Sequence, residues 1–250
     1  MAKKTLLEIV QEVLSDMVSD EVNSIDDTVE SQTVASIVRS VYEAMLANRN
    51  WPHTKTLIQL EGLSDVNKPV YLKMPERLKE LVSIKYDVKK NGETAIKYKD
   101  IKYKNPEDFL RYISQRDSDK PEVLTVTDFS GIKLLVFNNK APEFWTSFDD
   151  THIVFDSYDS VVDSTLIKSK TACTAYIIPV FERNDSAVPN LPAEAFPALI
   201  AEVKSTAFYD IKQMANEKEE KRSVLQQRWL SRKAWRAKGG VEYPNYGRKR

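Results

Sequence analysis

The sequence has little cysteine and glycine and no long apolar run. Cys173 is the only cysteine, so no intrachain disulfide can form, and we expect a chain that is assembled in a reducing cytoplasm. Its place in an apolar run predicts a small core residue. The six glycines, at 62, 92, 131, 239, 240 and 247, form no phosphate-binding loop. No apolar stretch reaches the roughly 18 residues of a membrane span, so we expect a soluble protein with no membrane partner.

Histidine is equally scarce. Only His53 and His152 occur, and neither has a second His or a Cys at the spacing of metal ligands. The adjacent carboxylates at 26–27 and 149–150 suit helix capping and a turn better than paired acid-base catalysis. We therefore predict no catalytic residue, no metal site and no cofactor, and the sequence disfavours an enzyme. Carboxylates that meet only in the fold, as in a nuclease or a glycosidase, stay an open alternative.

Both ends of the chain have the periodicity of amphipathic helices. Apolar residues recur at three- and four-residue steps over 6–17 and 34–45, and Pro52 ends the second helix because it keeps Trp51 out of the helical conformation. A third apolar stripe runs from 196 to 214. The residues after it are polar but include no Gly or Pro before 239, which predicts a helix that continues as a solvated rod.

The middle of the chain has the two-residue period of strands. Val82, Ile84, Tyr86 and Val88 alternate with polar residues, as in a strand with one solvated face. Further strands are predicted at 56–60, 70–73, 123–127, 132–137, 152–155 and 171–181, and residues 128–131 join two of them into a hairpin. A short helix is predicted after Asn105 as its cap, with Pro106 in the first turn and Phe109, Tyr112 and Ile113 on one face.

These elements predict an α+β fold. The N-terminal and C-terminal helices are expected to form a helical bundle with an inserted antiparallel β-rich domain and a long protruding C-terminal helix and tail. The expected boundaries are 1–52 for the N-terminal helices, 53–185 for the β-rich domain, 186–236 for the long C-terminal helix and 237–250 for an extended basic tail.

Charge is distributed unevenly, although the formal net charge is zero. Residues 221–250 hold ten Lys or Arg against Glu242 alone, which leaves the rest of the chain acidic by nine. Large anchors and cations share this segment at helical spacing: Trp229, Arg232, Lys233, Trp235 and Arg236. Trp and Arg are typical of interface anchors. Three interpretations stay open, namely packing on the chain's own body, nucleic-acid binding and a protein partner.

Three short motifs, together with the order of the elements, resemble the head-to-tail adaptor proteins of podoviruses, also called tail tubular protein A or head completion proteins. The motifs are Ala-Asn-Arg-Asn-Trp at 47–51, Met-Pro-Glu-Arg-Leu at 74–78, and the stretch 191–214 that opens the C-terminal helix. The resemblance spans nearly the whole chain as an architecture with short, degenerate motifs. The β-rich middle is larger than in the smallest members of that family.

The resemblance implies a non-enzymatic structural protein of the virion, located in the neck between capsid and tail and assembled in the host cytoplasm. It implies a ring of copies, usually a dodecamer, that docks under the portal protein after DNA packaging, receives a tail nozzle or tail knob protein, and transiently contacts genomic DNA in the channel. The candidates for portal binding are Leu225, Arg228, Trp229, Arg232, Lys233, Trp235, Arg236, Tyr243 and Tyr246. An isolated chain is expected to be a monomer or weak oligomer. The alternatives are a DNA-binding packaging accessory protein and another neck or tail-tube component.

Overall fold

The computed structural model describes residues 2–237, with side chains as far as Arg232. The chain divides into two compact units. The helical unit consists of the residues up to Asn50 and those from Pro179 onward, and the sheet unit runs from Trp51 to Ile178. None of the helices within the described range combines the length and the apolar character that a membrane crossing requires.

Five α-helices occur in the described part of the chain. They are α1 (Leu6–Asp16), α2 (Val29–Asn48), α3 (Pro106–Ser114), α4 (Phe196–Lys212) and α5 (Glu217–Ala237), of which only α3 belongs to the sheet unit. The two helices predicted from the apolar periodicity at 6–17 and 34–45 are confirmed as α1 and α2. Capping boxes begin both: Thr5 and Glu8 exchange side-chain to backbone hydrogen bonds at α1, and Thr28 and Ser31 do so at α2.

A partly buried charge cluster joins α1 to α4. The Lys204 ammonium, almost fully buried, lies 2.8 Å from the Glu12 carboxylate and 2.6 Å from that of Asp16, and Lys4 also pairs with Glu12. Burial acts to raise the pKa of Glu12, but the hydrogen bonds and positive charges of Lys204 and Lys4 outweigh it and hold this pKa below its ordinary value. The cluster thus binds α1 to α4 most strongly when its carboxyl groups are ionised.

The sheet unit is built on one eight-stranded sheet and a separate hairpin. The strands are β1 (Lys55–Ile58), β2 (Glu61–Gly62), β3 (Tyr71–Lys73), β4 (Leu78–Asp87), β5 (Tyr98–Tyr103), β6 (Val123–Thr127), β7 (Lys133–Phe137), β8 (Phe144–Thr146), β9 (His152–Phe155) and β10 (Thr171–Ile177). The sheet has the order β1-β10-β4-β5-β8-β9-β3-β2. Because β1 and β2 stand at opposite ends of this order yet are separated in the chain only by Gln59 and Leu60, the sheet must curl.

The predicted hairpin and short helix are confirmed, and both cover the core of the sheet unit. β6 pairs with β7 from Val123 opposite Phe137 to Thr127 opposite Lys133. In α3, Phe109 and Ile113 are buried in the same apolar cluster as residues of β3, β4, β9 and β10. Asn105 occupies the position before α3, but its side chain makes no capping hydrogen bond.

A buried ion pair joins α3, the hairpin and the sheet. Arg116, just after α3, donates from Nη1 to the carbonyl oxygens of Leu135 (2.9 Å) and Asp156 (2.6 Å), and from Nη2 to the Asp156 carboxylate (3.1 Å). The other oxygen of that carboxylate accepts from the backbone N–H groups of Glu143 and Phe144, both at 2.9 Å. Both side chains are almost completely excluded from solvent. The pair therefore fixes four segments that are distant in sequence.

The expected fold class is wrong. The sheet is the dominant element of a mixed α/β structure, not a small antiparallel insertion in a helical bundle. It also includes one parallel pair, β5 with β8, where Lys102 lies opposite Phe144. Three strands that build it, β2, β5 and β8, are short or highly charged and carry no alternating apolar pattern, so the sequence understated the extent of the sheet.

The prediction of a long protruding C-terminal helix is also wrong. The chain leaves the helix at Gln213, whose backbone is left-handed (φ 52°, ψ 32°), and resumes it at Glu217. α5 then packs against α4, with Ser223 hydrogen-bonded to the Glu202 carboxylate, and Leu230 of α5 is buried. What the sequence presented as one rod is a pair of packed helices.

Removing the Asp156 carboxylate should strongly destabilise the sheet unit. We expect Asp156→Ala to lower the free energy of unfolding by about 3–5 kcal/mol, because it leaves the Arg116 charge buried without a counterion. Urea unfolding followed by circular dichroism measures this. The control Asp100→Ala, which breaks the exposed pair with Lys85 (3.5 Å), should cost less than about 1 kcal/mol. Equal effects of the two substitutions would contradict the role given to the buried pair.

Acid should weaken the contact between α1 and α4. Because the pKa of Glu12 is lowered in the folded chain, its contribution to stability is present above the ordinary value of 4.5 and is lost as pH falls through the folded pKa. Urea titrations at about pH 6 and about pH 3.5 should show this loss, and Lys204→Met should reduce it. Lys212→Met is the matched control, since its ion pair with Glu30 is long (3.9 Å). An acid response in Lys204→Met as large as in the parent chain would contradict the assignment.

Candidate functional site

The last helix, α5, is held on the helical unit by polar contacts. Its first turn begins at Asn216, whose side-chain oxygen accepts from the Glu219 N–H (3.3 Å). In the second half of α5, the Gln227 carbonyl oxygen accepts a hydrogen bond from Arg49 (3.2 Å), which follows α2 and also contacts the Ser231 hydroxyl. Arg49 belongs to the motif at 47–51, which thus connects the end of α2 to α5. These contacts leave the opposite side of α5 facing solvent.

The solvent side of α5 is strongly basic. From Lys221 to Arg232 the helix contains four cationic residues and no carboxylate. Near its start, Lys221 and Arg222 pair with carboxylates one turn earlier, at 3.1 and 3.4 Å. Arg228 and Arg232 have no ion-pair partner among the described residues and are exposed. The stretch 228–232 of α5 therefore presents positive charge that no described carboxylate compensates.

Two large apolar side chains lie within this basic surface. Leu225 is 62% exposed and Trp229 is 50% exposed. With Glu194, Pro197 and Gln226 they line a groove of about 310 Å³ between α5 and the start of α4. We call these five residues the α5 groove. A half-exposed indole on the same helix face as guanidinium groups is suited to bind a protein surface, because Trp and Arg are enriched among interface hot spots.

The candidates for portal binding fall into two groups. Leu225, Arg228, Trp229 and Arg232 lie together on the exposed side of α5. The side chains of Lys233, Trp235 and Arg236, and the residues Tyr243 and Tyr246, lie outside the described part of the chain.

Sequence reasoning missed the other wall of the groove. Pro197, at the start of α4, and Glu194, in the short 3-10 turn before it, precede Trp229 by more than thirty residues, so no local pattern connects them with it. The only related signal was the stretch 191–214, which was predicted to open the C-terminal helix.

The two histidines lie in different settings. His53 is in a short 3-10 turn next to the Trp51 ring, at 6.0 Å between ring centroids. The His152 imidazole stacks on Phe129 at 4.5 Å, and its Nδ1 lies 2.6 Å from the Asp149 carboxylate. Asp149 also accepts backbone N–H bonds from the turn that follows it, as the sequence interpretation of a turn requires. Within the described residues, no group of three or more His, Cys, Asp or Glu could hold a metal ion.

Cys173 is a core residue, as predicted. It lies on β10 opposite Ile58 and Ile84 and is completely buried. Burial raises the pKa of its thiol to about 12, although a backbone hydrogen bond at Lys85 acts in the opposite direction. A thiol of this kind is neither accessible nor ionised near neutral pH.

Comparison with known proteins adds no relative. No protein-family model matches this sequence, and no curated protein matches it either.

Cys173 should not react with thiol reagents in the folded chain. We expect a disulfide reagent that releases a coloured thiolate to give no signal near neutral pH, and to give one equivalent after unfolding in urea, because the thiol is buried and its pKa is raised. Rapid modification of the native chain, compared with an exposed-cysteine variant such as Val161→Cys, would contradict the burial of this residue.

Proposed function

We propose that this chain is a structural protein of a phage virion, a head-to-tail adaptor that docks under the portal after DNA packaging. The observation that carries the proposal is the solvent side of α5, where Arg228 and Arg232 flank the exposed Leu225 and Trp229. Such a surface is typical of interface hot spots, which combine an aromatic anchor with Arg. The resemblance of the motifs at 47–51, 74–78 and 191–214 to podovirus adaptors supports the same role.

In this role α5 contacts the portal protein, and further contacts come from the basic residues after Arg232. Several copies form a ring, usually a dodecamer in podovirus adaptors, which is located in the neck of the virion and is assembled in the host cytoplasm. The far side of the ring receives a tail nozzle or tail knob protein, and genomic DNA passes through its channel. The protein catalyses no reaction in this role.

A DNA-binding packaging accessory is the second candidate, because the same cations could bind phosphates. The charge of the helical unit argues against it. Outside residues 221–250 this unit has eight Lys or Arg against 17 Asp or Glu, a net charge of minus nine, and Glu194 lies in the α5 groove itself. A duplex that approached α5 would meet this acidic body over most of its length, whereas a protein partner can present opposite charge at each point.

Portal binding should depend on the two arginines. We expect Arg228→Glu with Arg232→Glu to weaken binding to the cognate portal by about tenfold or more, because like charges then face the partner. Co-sedimentation with purified portal, with electron microscopy of the complex, measures this. The control Lys120→Glu with Lys133→Glu changes the charge equally at exposed sites of the sheet unit and should bind as the parent chain does.

Two results would overturn the proposal. One is portal binding that is unaffected by the arginine substitutions. The other is no portal binding combined with binding to duplex DNA that falls steeply with salt, which would favour the DNA-binding accessory.

A further inference from the structure

Positive charge in the sheet unit is concentrated on the hairpin of β4 and β5. The unit as a whole is balanced, with 19 Lys or Arg and 19 Asp or Glu in residues 51–178. Residues 85–104, which include the end of β4 and all of β5, hold seven Lys against three Asp or Glu. The rest of the unit has 12 basic and 16 acidic residues, so the hairpin is a basic region within an acidic surrounding.

Several lysines converge where β5 meets the start of β8. The Lys99 ammonium lies 2.8 Å from the Glu143 carboxylate, and the Lys102 N–H donates to the Glu143 carbonyl oxygen (2.9 Å). The Lys104 ammonium lies 4.4 Å from the centroid of the Phe144 ring. A fourth lysine comes from the segment just before β8. We use the name lysine cluster for Lys99, Lys102, Lys104 and Lys140.

A single carboxylate is paired with the lysine cluster. A hydrogen bond from Lys99 holds the pKa of Glu143 below its ordinary value, against the opposing effect of burial. The positive charges of Lys140 and Lys102 lower this pKa further, which places both lysines near the same carboxylate. Apart from Lys99, the members of the cluster form no ion pair in the described part of the chain. The cluster therefore carries more positive charge than Glu143 compensates.

Two neighbouring carboxylates are already paired with other cations. Asp156, which accepts the Glu143 N–H at 2.9 Å, forms the buried ion pair with Arg116. Asp100 of β5 lies 3.5 Å from the Lys85 ammonium. Neither carboxylate could neutralise the lysine cluster without leaving its present partner uncompensated.

Exposed tyrosines stand at both ends of β5. Tyr98 is 46% exposed and Tyr103 is 57% exposed, and Lys99 and Lys102 lie between them in the chain. The Tyr103 ring packs against that of Trp145, with 4.8 Å between the ring centroids, so its position is fixed. Phosphate oxygens of nucleic acids accept hydrogen bonds from Tyr hydroxyls as well as from Lys. The tyrosines thus extend a surface of phosphate donors beyond the lysines.

The chemistry of the lysine cluster differs from that of α5. All its cations are Lys, whereas α5 combines Arg with Trp. Lys is depleted in protein interfaces, but it is a frequent donor to phosphate groups. An ammonium group binds phosphate as a point charge, without the planar bidentate geometry of a guanidinium. The cluster therefore suits a phosphate backbone better than a protein surface, and such contacts do not depend on base sequence.

We propose that the lysine cluster binds the phosphate backbone of duplex DNA, with Tyr98 and Tyr103 donating further hydrogen bonds. The contact is weak for a single copy, because affinity rises with the number of phosphates that are neutralised. Several copies around one duplex would multiply it. That this DNA is the genome in a channel rests on the adaptor role proposed above, whereas the contact itself does not.

Protection of lysines from acetylation tests the contact in the full parent chain. The chain is treated briefly with an acetylating reagent at low salt, with and without a short DNA duplex, and mass spectrometry gives the rate at each lysine. We expect the duplex to slow acetylation of the lysine cluster several-fold, and high salt to remove this protection. Lys120 and Lys133, which are exposed in the same unit, are the internal controls and should be unaffected. A parallel sample contains polyglutamate at the same charge concentration in place of DNA.

Substitution of two exposed cluster lysines gives an independent measurement. Lys102→Gln with Lys140→Gln should lower the slope of log affinity against log salt by about two, because each lost phosphate contact lowers it by about one. Fluorescence anisotropy of a labelled duplex, titrated with each variant at several salt concentrations, measures this slope. The matched control Lys120→Gln with Lys133→Gln removes the same charge and should leave the slope as in the parent chain.

The proposed contact is refuted in any of three cases. The first is protection of the cluster no greater than that of the two control lysines, and the second is a salt slope that the cluster substitutions leave unchanged. The third is equal protection by polyglutamate, which would assign the cluster to an acidic protein. Portal binding without protection by DNA keeps the adaptor role and removes the DNA contact. Protection in a protein that binds no portal keeps the contact and removes the adaptor role.

Discussion

The sheet unit depends on the ion pair between Arg116 and Asp156. Two charges excluded from solvent are costly unless hydrogen bonds replace the lost water, and here each group has several partners, although the Arg116 Nε has none among the described residues. The guanidinium also lies over the Phe137 ring, 4.2 Å from its centroid. Since the pair connects the end of α3, the hairpin strand β7, the start of β8 and the end of β9, it fixes where the added helix and hairpin lie on the curled sheet.

Local signals in the sequence predicted local structure well. The alternation from Val82 to Val88 is found in β4, the helix after Asn105 is α3, and the turn before β7 uses Gly131 at φ 85°. Apart from the hairpin, strand pairing could not be predicted, because it joins segments that are distant in sequence. β5 contains Lys99, Asp100 and Lys102, pairs in parallel with a strand some forty residues later, and offers no apolar alternation. The size and curl of the sheet follow from such pairings.

The C-terminal helices show a different limit. The less exposed side chains of α5 are at positions 219, 223, 226 and 230, where three of the four residues are polar, and Ser223 is held on α4 by its hydrogen bond to Glu202. A search for apolar periodicity cannot detect a contact made in this way, so the segment resembled a solvated rod. Composition did identify Leu225 and Trp229 as candidates, but not Pro197 or Glu194, because those meet α5 only after the chain turns back at Gln213.

The curled sheet also has a consequence for synthesis on the ribosome. β1 finds its partner β10 only after more than a hundred further residues have been translated, and α1 and α2 must wait still longer for α4. The sheet unit can close only after β10 has emerged and the helical unit only after α4 has, so the faces of α1 and α2 that α4 covers stay exposed during most of elongation. A nascent chain of this design depends on rapid completion or on chaperones, and prematurely terminated products would be prone to aggregate.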